Sequence, residues 1–181
     1  MNFESTSIPG VQIITPYVNY DDRGHFLESY RGDLFQKSHL PDNFVQDNEV
    51  KSSKGVLRGL HYQLNKPQGK LVRVIFGVII DVAVDIRIGS PTFGKSVMIE
   101  LSDVNKKMLY IPEGFAHGYT VISEESVVVY KCTNFYDKKD EFGIKWNDSS
   151  LNLNWRCSKP IISNKDKALP LLNEQNNLPK Y

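Results

Sequence analysis

Gly55-Val56-Leu57-Arg58-Gly59-Leu60-His61-Tyr62-Gln63, followed after five residues by Gly69-Lys70-Leu71-Val72-Arg73, sets an Arg, a His and a Lys inside short apolar runs. Runs of this kind, bounded by Gly and Pro and rich in β-branched residues, have strand character. Strands normally use such positions for packing, because buried charge is costly unless it is paired. A His on a rigid strand with cations nearby is instead well placed to move protons on an anionic substrate. A structural histidine beside two solvated basic residues fits the stretch equally well, and the rest of the chain has to decide between them.

Upstream, Val11–Thr15 and His25–Tyr30 predict strands, with a turn at Asp21-Asp22-Arg23-Gly24 before the second. Gly32–Leu40 predicts a short helix capped by Asp33, with Leu34, Phe35 and Leu40 as its apolar contacts. Phe44–Val50 predicts a strand with polar groups on one face. Downstream, Lys70–Phe76 and Val78–Arg87 meet at Gly77. In the second of these, Ile79, Asp81, Ala83, Asp85 and Arg87 share one face and Ile80, Val82, Val84 and Ile86 the other. That alternation predicts one packed face and one mixed, charged face. Val97–Leu101, Met108–Ile111, Gly118–Ile122 and Ser126–Thr133 complete the run, and from Lys138 the chain turns polar, with apolar anchors at Phe142, Ile144, Trp146 and Trp155. Many short strands broken by Gly and Pro turns indicate an all-β antiparallel sandwich or barrel with short peripheral helices. The 181 residues suit a single domain spanning 1–181, with a barrel core at about 43–135 and the N-terminal strands and C-terminal extension packed on it.

A formal net charge of +1 gives no reason to expect nucleic acid or a membrane surface as partner, so any anion must be held by a local cluster. Two cysteines, Cys132 and Cys157, are too few for a disulfide framework and suit a reducing cytosol. The first residues show no basic region followed by an apolar one, and Val74–Ile80 is far short of the roughly 20 residues that span a bilayer. The expectation is a soluble cytoplasmic protein.

Two segments bear on metal chemistry. Gly55-x5-His61-Tyr62-Gln63 and Pro112-Glu113-Gly114-Phe115-Ala116-His117 resemble the two motifs of the cupin superfamily, which implies a jelly-roll barrel with both segments facing one cavity. Metal-binding cupins carry two histidines around one residue and then a Glu. Here Gln63 takes the second histidine's place and the Glu position falls on Pro67 or Gln68. Two histidines remain, where a catalytic zinc usually has three protein ligands and an iron facial triad adds a carboxylate. Asp81 or Asp85 would have to supply it, so no metal is expected and a metal-dependent cupin is the weaker alternative.

A histidine without a metal is free to take a proton, with a carboxylate to fix its tautomer and a Tyr on the opposite side to return one. Lys70, nine residues after His61, fits an adjacent strand and suits stabilisation of an enolate oxygen. Tyr119, Tyr130 and Tyr136 are candidate acids, and spacing leaves the choice open. Arg58 and His61 are three apart, which sends them to opposite faces of a regular strand. Either a bulge at Gly59 re-aims one of them, or Arg58 points across a subunit interface.

Taken in order, Asp22–Glu28, Gln46-Asp47-Asn48, Gly55–Gln63, Gly69–Arg73, Asp81–Arg87, Gly89–Gly94, Ile111–Gly118 and Tyr130-Lys131 resemble the dTDP-4-dehydrorhamnose 3,5-epimerase family along nearly the whole chain. The resemblance implies a cofactor-independent isomerase acting at C3 and/or C5 of a nucleotide-diphosphate 4-keto-6-deoxy sugar, serving cell-surface polysaccharide synthesis. The keto group acidifies the neighbouring protons, a base removes one, and the enolate is reprotonated from the other face. The resemblance casts His61 as base, Asp166 as its carboxylate, Tyr130 as acid and Lys70 as the cation at the keto oxygen. It casts His117 as a second active-site histidine. Arg23, Glu28, Gln46, Asn48 and Arg58 become nucleotide and diphosphate contacts, with Phe26 near the base, and Tyr136, Glu141 and Lys165 further substrate contacts. It also implies a homodimer that exchanges an N-terminal strand, with some contacts supplied by the partner. Two features depart from the family: Val50 stands where a Ser is usual, and the His61–Lys70 linker is one residue shorter than in some members. These keep open a GDP-linked 4-keto-heptose 3,5-epimerase of capsule biosynthesis, beside a mono-epimerase or a ketoisomerase.

Overall fold

The computed structural model describes residues 1–181. The short alternating runs form β1 (Asn2–Ser5), β2 (Gln12–Thr15), β3 (Val18–Asp21), β4 (Gly24–Leu27), β5 (Gln46–Ser53), β6 (Leu57–Gln63), β7 (Lys70–Phe76), β8 (Val78–Asp85), β9 (Ser96–Ser102), β10 (Met108–Ile111), β11 (Phe115–Val121), β12 (Glu125–Cys132) and β13 (Glu141–Gly143). Helices are confined to α1 (Gly32–Lys37), α2 (Asn164–Lys167) and a 3-10 turn at Leu172–Glu174. A six-stranded sheet in the order β1-β2-β10-β7-β12-β5 lies against a five-stranded sheet in the order β13-β6-β11-β8-β9, with β3 and β4 as a separate hairpin. The pairings are antiparallel, giving the cupin-type jelly roll. No helix is long and apolar enough to cross a membrane.

Alternation along each strand divides the apolar residues among three layers. Val72, Val74, Leu109 and Val128 of the larger sheet meet Ile79, Ala83, Leu101 and Val121 of the smaller one inside the barrel. Leu60, Ile80, Val82 and Val84 face outward from the smaller sheet and are covered by Ile144, Leu151, Trp155 and Leu172. Outside the larger sheet, Ile14, Leu71 and Met108 pack against Phe35 of α1 and Leu40. Each fully buried Leu, Ile or Phe contributes roughly 1.5–3 kcal/mol, so the C-terminal segment is an integral cover. Trp155 anchors it, with Nε1 donating to the Trp146 carbonyl at 2.8 Å.

Two expectations, the charged face of β8 and the cap of α1, are corrected. Both faces of β8 are buried, because the barrel closes over one and the C-terminal segment over the other. Asp85 is satisfied internally by Arg87, Ser90 and Thr92, whereas Asp81 holds His117 with Oδ1 and its buried Oδ2 has no hydrogen-bond partner. Asp33 does not cap α1; Arg31 holds the N-cap position, and its Nε donates to Asp33 Oδ1 in the first turn at 2.8 Å. The sheets also take in β1, β2 and β13 beyond residues 43–135. In this chain β1 folds back onto β2.

Candidate active site

The stretch Gly55–Gln63 becomes β6, flanked by β11 and β13. His61 lies opposite His117 and Arg58 opposite Tyr119, so β6 uses one more residue than β11 between these pairs. This bulge resolves the parity of Arg58 and His61, and both line one cavity of about 560 Å³. Gly59 makes it possible. Its φ is +113°, and a Cβ there would stand 2.6 Å from Gly118 Cα and from the His117 carbonyl oxygen. The opposite wall comes from the larger sheet, which contributes Lys70 and Tyr130 to the cavity. An adjoining lobe of about 330 Å³ shares His61, Lys70 and Tyr130 and adds Gln46 and Asn48, the inward positions of β5.

The first histidine is held by a distant carboxylate. Leu57 N–H donates to the Ile161 carbonyl at 2.9 Å and Ile161 N–H to the Gly55 carbonyl at 2.8 Å, so the 161–166 segment is laid along β6. Ser163 caps α2, its Oγ accepting from Asp166 N–H at 3.0 Å. Asp166, 4% exposed, then reaches His61 Nε2 at 2.8 Å with one oxygen and accepts Gly59 N–H at 3.2 Å with the other. Burial opposes ionisation of Asp166, but the His61 and Gly59 hydrogen bonds outweigh it and hold the carboxyl below its ordinary range. An ionised carboxylate only accepts, so His61 Nε2 carries the proton and Nδ1 is left free as a base.

A second pair stands beside it. His117 Nε2 lies 2.7 Å from Asp81 Oδ1, both buried. Burial keeps His117 below the ordinary histidine pKa despite Asp81, and Lys70 and His61 push the same way. Burial also lowers the Lys70 pKa, against the pull of Cys132, Asp81 and Glu141. Tyr130 is pushed up to about 12, chiefly by burial, so its hydroxyl stays protonated at neutral pH.

At the rim, Tyr136 O–H and Lys165 Nζ both donate to Glu141 Oε2, and Tyr136 N–H donates to Gln46 Oε1 at 2.8 Å. Gln63 takes no part in the cavity's acid–base set. Its amide donates to the Lys66 and Phe135 carbonyls and accepts Asp137 N–H, pinning the turn that carries Tyr136. No group of three or more His, Cys, Asp or Glu side chains is placed to hold a metal ion.

Of the residues expected at the site, His61, Tyr130, Asp166, Lys70, Arg58, His117, Tyr136, Glu141 and Lys165 share the main cavity, and Gln46 and Asn48 line its side lobe. Arg23, Phe26 and Glu28 do not join them. Arg23 and Phe26 sit on the β3–β4 hairpin and Glu28 just past it; Arg23 pairs with Asp21, Glu28 with Arg31, and Phe26 is 67% exposed. Sequence reasoning weighed Asp81 only as a metal ligand, although its inward parity on β8 pointed to the cavity. It passed over Ser163 and the Ile161–Ile162 wall, which lie in irregular backbone without periodicity.

The model of the dTDP-4-dehydrorhamnose 3,5-epimerase family matches residues 5–174. A protein of that name from Shigella flexneri is 54% identical over 168 residues, covering 92% of this chain and 93% of its own length. One from Methanothermobacter thermautotrophicus is 48% identical over 175 residues, covering 95% of each. The crystal structure of dTDP-6-deoxy-D-glucose-3,5-epimerase from Legionella pneumophila, in complex with dTDP-4-keto-L-rhamnose, superposes with a TM-score of 0.97 at 46% identity, over 99% of this chain and 98% of that one. With a matching family model across nearly the full length and the His61–Asp166 pair in its cavity, the chain belongs to the dTDP-4-dehydrorhamnose 3,5-epimerase family.

Proposed function

We propose that the chain inverts C3 and C5 of a dTDP-linked 4-keto-6-deoxy sugar without a cofactor. The observation that carries this reading is the His61–Asp166 pair on one wall with Tyr130 and Lys70 on the other. His61 Nδ1 takes the proton next to the keto group, and Asp166 stabilises the imidazolium that forms. Lys70 offers its N–H donors to the enolate oxygen, where a cation in a cavity of reduced dielectric is most effective. Tyr130 reprotonates the carbon from the opposite face. Gln46 and Asn48 receive the base in the side lobe, Arg58 the diphosphate, and Tyr136, Glu141 and Lys165 hold the rim. The dTDP-linked ligand named for the Legionella structure supports dTDP over GDP.

The reading includes a homodimer in the cytoplasm. The β3–β4 hairpin carries Arg23 and Phe26 clear of this chain's cavity, with Glu28 following it, and Tyr17, Tyr20 and Phe26 are well exposed there. A second copy seated on that face would receive these residues at its own cavity. The two cysteines are free, as suits a reducing compartment.

Incubation with dTDP-4-keto-6-deoxyglucose in deuterated water tests the reading. Deuterium at both C3 and C5, with rhamno-configured product by NMR, is the expected result. Label at one carbon alone identifies a mono-epimerase, a moved carbonyl a ketoisomerase, and no label with any dTDP- or GDP-linked 4-keto sugar refutes the epimerase reading.

A further inference from the structure

The cavity and its side lobe share five residues, and only one of them has no strand to hold it. His61 stands on β6, Lys70 on β7, Tyr130 on β12 and Glu141 on β13, whereas Tyr136 lies in irregular backbone between the last two. Tyr136 is half exposed, so burial does little to fix its ring, and its O–H reaches only Glu141 Oε2. A loop residue can form a defined wall only if its backbone freedom is removed by other groups.

Glutamine side chains hold the peptides on both sides of Tyr136. Gln63 Oε1 accepts Asp137 N–H at 2.8 Å, and because a backbone N–H can only donate, this contact settles the orientation of the amide. Gln63 Nε2 then faces two carbonyls, donating to Phe135 at 3.2 Å and to Lys66 at 2.7 Å. Tyr136 N–H itself donates to Gln46 Oε1 at 2.8 Å. The turn that presents the Lys66 carbonyl is fixed by buried Asp140, which accepts the Asn65 and Lys66 N–H groups at 2.9 and 2.7 Å. Gln63 is 3% exposed and lines the side lobe, yet both of its N–H donors are engaged inside the protein. Its influence on a ligand therefore runs through the residue that it clamps.

We propose that Gln63 is a positioning residue that acts on bound substrate through Tyr136, by fixing that ring at the junction of the cavity and its side lobe. The inference rests on the nucleotide-sugar reading above. It assigns Gln63 no contact with substrate and no part in proton transfer.

The test is a double-mutant cycle on the full chain: wild type, Gln63→Met, Tyr136→Ala and the double variant, with kcat and KM for dTDP-4-keto-6-deoxyglucose and thermal unfolding of each. Gln63→Met keeps the side chain's length and removes all three hydrogen bonds. It should raise KM about tenfold, with kcat within a few-fold of wild type. In the Tyr136→Ala background the same substitution should change KM by less than about twofold, because the residue through which it acts is gone. A role in the fold alone lowers the melting temperature in both backgrounds and moves KM in neither, or by the same factor in both; either result overturns the inference. If Gln63→Met does not fold, Gln63→Glu, which keeps the length and the acceptor for Asp137 N–H, is measured in the same two backgrounds against the same criteria. If neither folds, Gln63 serves the fold and the inference fails. A wild-type chain that turns over no dTDP-linked 4-keto sugar overturns the nucleotide-sugar reading itself, and this inference with it.

Discussion

Asp166→Asn removes one charge and almost no volume, which makes it the sharpest probe of the proposed base. The carboxylate serves two donors at once, His61 Nε2 at 2.8 Å and Gly59 N–H at 3.2 Å. An asparagine has one acceptor oxygen. If that oxygen keeps Gly59, its NH2 group faces His61 and donates to Nε2, driving the ring proton to Nδ1 on the cavity side. The base is then in the wrong tautomer. The imidazolium formed at the transition state also loses an opposite charge, an interaction of about 4 kcal/mol at 4 Å and an effective dielectric of 20. That corresponds to roughly a 10³-fold slower proton abstraction, within the 10²–10⁴ typical of general acid–base groups. The assay is deuterium wash-in at C3 and C5 by NMR, with steady-state kinetics and a urea melt on the same preparations. Expected are a loss of about that size at both carbons in kcat, little change in KM, and a folded protein. Wash-in within a few-fold of wild type would mean that His61–Asp166 is a structural pair and that the base lies elsewhere, with His117–Asp81 the next to test.

Three further outcomes follow from the same geometry. Tyr130→Phe should abolish productive inversion while wash-in at the position deprotonated first persists; full inversion by NMR in that variant would place the acid elsewhere. Gly59→Ala should destabilise the fold by several kcal/mol, on the order of 3 or more by urea unfolding, because its Cβ meets Gly118 Cα and the His117 carbonyl at 2.6 Å and its φ is +113°; a near-wild-type midpoint would refute the close strand crossing. Burial alone would raise the Asp85 carboxyl, but Arg87, Ser90 and Thr92 hold it at about 2 against an ordinary 3.8. A depressed carboxylate pKa contributes stability above the unfolded value, about 2 kcal/mol here, and loses it as pH falls. Urea midpoints from pH 5 to about pH 2 should therefore fall in the wild type and run flatter in Asp85→Asn; parallel curves would mean that other carboxylates set the acid limb.

What could be seen in the sequence and what could not divides along a physical line. Strands long enough to show alternation, such as β7, β8 and β12, announced themselves, and so did the barrel they build. β1, β3 and β13 are three or four residues long and owe their existence to a neighbour's free edge, which no local pattern encodes. The same holds in the site. Lys70 and His61 were visible because a charge in an apolar strand needs a reason. The partner of His61 lies 105 residues away in irregular backbone, so only resemblance pointed to it.

The mixed face of β8 reads in the sequence as charged surface because alternation says which residues share a side and nothing about what covers that side. Asp81 and Asp85 sit on the inner face, where His117 hydrogen-bonds the first and Arg87 neutralises the second, and the outer face is closed by a segment whose composition reads as polar loop. The bulge at Gly59 is the counterpart of that error. Strict alternation separates Arg58 from His61, yet the residue between them has no Cβ, sits at positive φ and lies against Gly118 of the next strand. A glycine in such a position lets β6 carry one more residue than its partner and turns Arg58 and His61 into the same cavity. The departure from regular strand geometry is therefore what assembles the site, and it is written in the sequence only as the single residue that permits it.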